Sequence, residues 1–374
     1  MSTLLDEVTE RALKLNVPLS VQLDLTYRCN ERCIHCYLDH HDYGEMTTAE
    51  IKQLLTEMAE AGVFILTLSG GEIMLRKDFF EILEYARRRL TFCVKLKTNA
   101  ILIRDQEAAR IRDLGVESIQ ISIYSHRPEI HDAITLVPGS LMRSLDAARF
   151  LKSQGLRVIF ANPVMAQTFQ DYPGVRALAA EMGIESTIDP TITPMMSGDR
   201  SVLNLNIDRA SLHQLFRDES LVVDAEESCI VDAADQDTLE HLPCSAGHTT
   251  CYVSPYGDVF PCVQFPFPTG NVRNERFIDI WRYSERMNEV RSIRLKDLTT
   301  CTSCTHMSSC SRCPGLAYME GNMRGPSSAD CEKSFAKTGV PSANMLAKKR
   351  AAANLVQIRS IPAPAHSPGA RTMA

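Results

Sequence analysis

The chain has 374 residues, of which 44% are hydrophobic, enough for one large core and a smaller second unit. Its formal charge is -6, yet residues 339–374 hold Lys348, Lys349, Arg350, Arg359 and Arg371 with no acid, leaving the body near -11. Such a body is a poor general nucleic-acid binder, and neither a membrane-spanning apolar run nor a secretory signal is present, so a cytoplasmic protein without nucleic-acid or membrane partners is expected.

Residues 1–17 form a lead-in helix, and from there to about 200 short apolar runs alternate with helical periods. The runs are 20–26, 63–69, 92–98, 118–124, 157–165 and 186–193, with helices expected at 47–61, 77–90, 105–114, 141–154 and 172–182. Thr47 and Glu50 have capping-box spacing, and Gly62, Gly115, Gly155 and Gly183 each follow a helical period. Strands alternating with helices imply parallel pairing through right-handed crossovers. Pattern alone leaves an open doubly wound sheet and a partial barrel equally possible.

A helix is expected at 208–219 within a 201–243 linker that turns acidic from residue 220. Gly, Pro and Cys dominate 244–338, a region so poor in apolar runs that metal staples are expected to hold it. The Ala-, Pro- and Ser-rich tail 339–374 reads as disordered.

Thirteen cysteines in a reducing compartment point to metal ligation rather than disulfides. Cys29, Cys33 and Cys36 lie directly after the first strand in TYRCNERCIHCYLD. Three thiolates suit a cuboidal iron-sulfur cluster with one iron left open for a reacting ligand, although a zinc knuckle is the plainer alternative. The second strand ends in Gly70, Gly71 and Glu72, where glycines allow close approach and a carboxylate can accept from an ammonium. Farther on, Cys244, Cys251 and Cys262 are followed by Cys301, Cys304, Cys310, Cys313 and Cys331. Eight cysteines make two sets of four, for iron-sulfur clusters or for zinc.

CxxxCxxC after strand one and GGE after strand two resemble the radical S-adenosylmethionine (SAM) superfamily over roughly 18–200. The resemblance implies an α/β fold, a partial (β/α)6 TIM barrel. It implies that SAM chelates the open iron and is cleaved to a 5′-deoxyadenosyl radical, so Cys29, Cys33 and Cys36 would be the catalytic ligands. His35 stands where the family has an aromatic residue near the adenine, and Gly70, Gly71 and Glu72 match the motif that holds the SAM amino group. Thr98, Asn99, Ser122 and Asn162 resemble contacts to the SAM ribose or methionyl part. One departure is Thr135 in HDAIT, where many relatives place an arginine that reaches the SAM carboxylate.

The C-terminal cysteines resemble the SPASM domain, with two residues rather than three between Cys310 and Cys313. The resemblance implies a first auxiliary 4Fe-4S cluster on Cys244, Cys251, Cys262 and Cys313, and a second on Cys301, Cys304, Cys310 and Cys331. With the SAM-binding cluster this makes three. Expected partners are a peptide or protein substrate and a flavodoxin- or ferredoxin-type reductant. Only about twenty residues precede the first strand, too few for the leader-recognition domain some relatives carry there, so either a separate leader-recognition protein or direct binding by the barrel and linker is expected. The rival readings are a SPASM enzyme acting on a haem precursor or other small metabolite, and a non-enzymatic zinc-stapled binding protein. Cys93 reads as a small buried hydrophobe, and Cys229 as a thiol near the barrel mouth.

Overall fold

A computed structural model describes residues 4–221, 238–307 and 310–349. Six strands alternate with helices: α1 (Leu4–Leu15), β1 (Ser20–Thr26), α2 (Thr48–Glu60), β2 (Ile65–Gly70), α3 (Phe79–Glu84), β3 (Cys93–Thr98), α4 (Asp105–Asp113), β4 (Ser118–Ser122), α5 (Pro128–Thr135), α6 (Ser140–Ser153), β5 (Val158–Pro163), α7 (Tyr172–Glu181) and β6 (Glu185–Asp189). All adjacent pairs from β1 to β6 are parallel and in sequence order, which makes a partial TIM barrel.

Local chemistry sets most of these elements where the sequence expects them; α5 is not among the expected helices, and the helix expected at 77–90 is α-helical over Phe79–Glu84 and continues as a π-helix over Tyr85–Arg89. The Thr47 side chain accepts from Glu50 N while the Glu50 carboxylate accepts from Thr47 N, closing the capping box of α2. Gly62, Gly115, Gly155 and Gly183 all take positive φ. In β1, Val21, Leu23 and Leu25 pack into the main core, so the alternate residues Gln22, Asp24 and Thr26 fall on the opposite face. That polar inner face is what gives the barrel room for a site.

The chain continues through α8 (Arg209–Leu215) to β7 (Thr250–Val253), β8 (Asp258–Phe260), β9 (Gly270–Asn271), α9 (Phe277–Tyr283), α10 (Glu285–Arg291), α11 (Pro314–Met319) and α12 (Ser328–Thr338). β7 joins the barrel sheet in parallel beside β1, from Ser20↔Thr250 to Leu23↔Val253, and carries an antiparallel extension. The cysteine-rich region is thus hydrogen-bonded to the barrel edge that would otherwise be open.

Two expectations need correction. Metal staples are not all that shapes this region, because Phe265, Phe267, Val290, Ile293, Leu298 and Met323 form an apolar cluster, and Phe277, Ile280, Trp281 and Met287 enter the main core. These side chains stand singly or in short helices, so no long apolar run announces them. The tail is not wholly without structure either, since residues 343–349 are helical. Cys229 and residues 350–374 lie outside the described residues.

Candidate active site

The glycine pair after β2 seats the first cysteine loop. Gly70 has φ 134, and a Cβ there would lie 2.2 Å from Thr26 O; one on Gly71 would lie 2.4 Å from Arg28 O. This closeness lets Gly71 N donate to Thr26 O (2.7 Å) and Glu72 N to Arg28 O (2.9 Å), fixing the backbone that leads into Cys29. On the far side, Arg32 N donates to Thr135 O and Ile34 N to Ile134 O, both at 3.0 Å. The loop is therefore held between β2 and the end of α5.

Within it the three thiols influence one another. Burial pushes the Cys29 thiol up to about 12 and raises Cys33 and Cys36 as well; the Cys36 charge adds to the first rise, and Cys29 and Cys36 to that of Cys33. A buried thiolate needs a positive partner, and metal coordination supplies one by deprotonating the thiol outright. Among the described residues no three His, Cys, Asp or Glu side chains close on one point as around a single ion. A cuboidal cluster instead offers a separate iron to each thiolate, which fits thiols that are neighbours without sharing one point.

Cys29, Cys33 and Cys36 line a cavity of about 490 Å³. His35, Gly70, Gly71, Thr98, Asn99, Ser122 and Asn162 line it too, so one space gathers all the expected SAM contacts but one. The exception is Glu72, which is fully buried behind the cavity. Its carboxylate accepts from Thr98 Oγ1 (2.8 Å), Asn99 N (2.9 Å) and Met74 N (2.9 Å), and burial raises its pKa. Glu72 thus ties the end of β2 to the end of β3.

Some polar atoms of the lining residues are buried without a hydrogen-bond partner among the described residues. Asn162 Nδ2 donates to Ile123 O at 2.7 Å while its Oδ1 has no partner among the described residues; His35 Nδ1 has none either. The His35 ring meets Tyr124 edge-on, 4.8 Å between centroids, and burial lowers its pKa to about 4. A neutral, half-buried ring of this kind has an apolar face to offer.

The cavity's inner carboxylate, which sequence reasoning missed, is Glu31. It is buried beside Cys33, and burial pushes it up to about 7. Arg143 is the cation that draws it down. Thr135 points elsewhere, its hydroxyl paired with Ser140 Oγ at 2.7 Å. Arg143 could have been suspected only as a cation in the helix after the departure at 135.

The C-terminal thiols fall into two neighbourhoods. Burial raises Cys244 to about 11, with Cys313 and Cys262 adding; Cys262 also acts on Cys251 and on Cys313, both raised chiefly by burial. Burial likewise raises Cys301 to about 11, with Cys331, Cys310 and Cys304 adding, and Cys304 acts on Cys310 and Cys331. Buried Arg312 acts on Cys301 from one neighbourhood and on Cys313 and Cys244 from the other. None of these eight lines the cavity, although Val263 and Gln264, directly after Cys262, do. Cys93 is half-buried at the start of β3 and outside the lining.

Comparison with known proteins agrees with this arrangement. Residues 23–172 match the radical SAM superfamily, and residues 244–314 match the SPASM iron-sulfur cluster-binding domain. The chain is 29% identical over 327 residues to the AdoMet-dependent heme synthase of Oleidesulfovibrio alaskensis, covering 79% of this chain and 82% of that protein. It is 27% identical over 316 residues to the mycofactocin maturase MftC of Mycolicibacterium smegmatis, covering 79% and 78%. In fold it is similar to Streptococcus suis SuiB bound to S-adenosylmethionine, with a TM-score of 0.69 at 17% identity over 87% of this chain and 80% of that one. The non-enzymatic zinc reading falls with these matches. The chain belongs to the radical SAM superfamily, carries a SPASM domain, and is an enzyme.

Proposed function

We propose that this enzyme acts on a peptide or protein and matures it by crosslinking, oxidation or epimerisation. The bound groups supply reductive cleavage of SAM, whose 5′-deoxyadenosyl radical takes a hydrogen atom from the substrate. Cys29, Cys33 and Cys36 hold the SAM-binding cluster. Cys244, Cys251, Cys262 and Cys313 hold one auxiliary cluster, and Cys301, Cys304, Cys310 and Cys331 the other, three in all. The mutual influence of the thiols within each set supports this division. With four thiolates apiece, the auxiliary clusters leave no iron for substrate and serve electron transfer or stapling.

Gly70, Gly71, His35, Thr98, Asn99, Ser122 and Asn162 receive SAM, and Glu72 fixes the positions of Thr98 and Asn99. Thirteen cysteines read as metal ligands support a cytoplasmic protein, to which a flavodoxin- or ferredoxin-type protein supplies the electron. The observation that carries the peptide reading is that the SAM-side cavity shares Thr191, Ile192 and Pro194 with a second cavity of about 440 Å³. The second lies between α8 and α12 and includes Arg209 and Glu332. Two neighbouring spaces with a common wall suit an extended chain, whereas a compact metabolite needs one.

A second reading, action on a haem precursor or other small metabolite, is favoured by the similarity to AdoMet-dependent heme synthases. One assay separates the two. Anaerobic, reconstituted protein is incubated with SAM, reductant and candidate peptides from neighbouring short reading frames, or with porphyrin precursors, and products are weighed by mass spectrometry. We expect 5′-deoxyadenosine and a mass change on peptide. Release of 5′-deoxyadenosine with conversion of the porphyrin alone would reverse the choice, and no 5′-deoxyadenosine at all would overturn both.

A further inference from the structure

The barrel's inner face carries a cation that the chemistry above does not use. In β3, Val94 and Leu96 pack into the core, which puts Lys95 and Lys97 on the other face. Lys95 lies 4.0 Å from Glu117, whereas Lys97 forms no ion pair among the described residues. Lys97 lines the cavity, and among the described residues no other Lys or Arg does.

An ammonium offers three donors, and Lys97 Nζ spends one, on Gln22 Oε1 at 3.1 Å. Its nearest acid is engaged elsewhere. Asp24 Oδ1 accepts from Gln22 Nε2 at 3.0 Å and Oδ2 from Tyr252 Oη at 3.0 Å, and Tyr252 Oη lies 2.6 Å from Tyr27 Oη. Asp24 itself is fully buried, out of reach of a ligand. Two acids line the cavity: Glu31 sits by Cys33, and Asp189 Oδ1 accepts from Thr191 N at 2.9 Å. Val263 and Gln264, directly after Cys262, line the same cavity as Lys97. A cation on the cavity wall with two spare donors is a site for a planar anion.

Resting on the function proposed above, we propose that Lys97, with Gln22 beside it, binds a carboxylate of the substrate inside the barrel. SAM also carries a carboxylate, so the site is tested with SAM saturating and its own carboxylate already held. The substrate's reacting carbon then lies between the SAM contacts that begin at Thr98 and the Val263–Gln264 wall.

The test uses cluster-loaded protein with saturating SAM and two probes, phenylacetate and phenylacetamide, followed by ligand-observed NMR. Phenylacetate should bind about tenfold or more tightly than the amide. Lys97→Met should remove that preference and Lys97→Arg should retain it, with SAM affinity equal in all three proteins. The acid-against-amide comparison on the unaltered enzyme stands even if Lys97→Met does not assemble. Equal binding of the two probes, no binding of either, an undiminished preference in Lys97→Met, or a fall in its SAM affinity would overturn the proposal. Release of 5′-deoxyadenosine by the unaltered enzyme is read separately, so failure of the radical SAM reading is not mistaken for failure of the carboxylate site.

Discussion

Two regions of this molecule hold clustered thiols, and in both most of the thiols are half-buried. In the loop after β1, the sulfurs of Cys29, Cys33 and Cys36 look onto a cavity shared with glycine backbone, a histidine and two asparagines. In the C-terminal region, none of the eight cysteines reaches that space; their surroundings are one another, Arg312 and an apolar cluster. Burial alone therefore does not mark a reactive centre. What separates the two is that only the first set lines the cavity.

The sharpest way to break this comparison is to remove one thiol from each region. Cys33→Ala should cut SAM cleavage by about a thousandfold or more, equivalent to about 4 kcal/mol, while leaving the auxiliary iron in place. Cys310→Ala should lose iron from the other region and cut SAM cleavage far less. Iron analysis and 5′-deoxyadenosine release check both, and equal losses would erase the distinction.

A backbone change comes next. Gly70→Ala forces a Cβ to within 2.2 Å of Thr26 O at φ 134, which costs about 3–4 kcal/mol through strain and overpacking and unseats the first loop only. Calorimetry should show the loss of stability, and the auxiliary clusters should still assemble.

Asp24, whose carboxylate hydrogen-bonds to Tyr252 on β7, gives a pH test. Burial raises it from 3.8 to about 6. With the folded-state value above the unfolded one, its stabilising protonation is complete below 3.8 and is lost as the pH rises through about 6. Asp24→Asn removes this penalty, which is on the order of 3 kcal/mol. The melting temperature of Asp24→Asn relative to the unaltered protein should then be higher at pH 8 than at pH 5. A difference independent of pH would contradict the assignment.

The smallest effect is expected from Thr98→Val, which strips the hydroxyl from the buried Glu72 carboxylate and should cost about 1–3 kcal/mol. Denaturant unfolding measures it, and weaker SAM binding should follow because Asn99 loses its fixed neighbour.

Much of this was legible because it is local. The spacing of Cys29, Cys33 and Cys36, the glycine pair at 70 and 71, and the capping box of Thr47 and Glu50 are relations within a few residues. The pairing of β7 with β1 was not, since Thr250–Val253 is a short strand whose partner lies at the other end of the chain. The direction of the Glu72 side chain was hidden for a related reason: the backbone of Asn99, just past the end of β3, decides which way the carboxylate turns. Thr135 could be marked as a departure, but only Ser140, across a helix start, shows where its hydroxyl goes. The C-terminal apolar cluster escaped notice because Phe265, Phe267 and Met323 are each surrounded by polar or small residues in sequence.

The most direct test of the open-iron claim is electron paramagnetic resonance of the reduced, cluster-loaded protein titrated with SAM. SAM should shift the signal of one cluster and leave the others unchanged, and the shift should vanish when Cys29, Cys33 and Cys36 are all replaced by alanine. A SAM-dependent shift that survives the triple replacement would contradict the account.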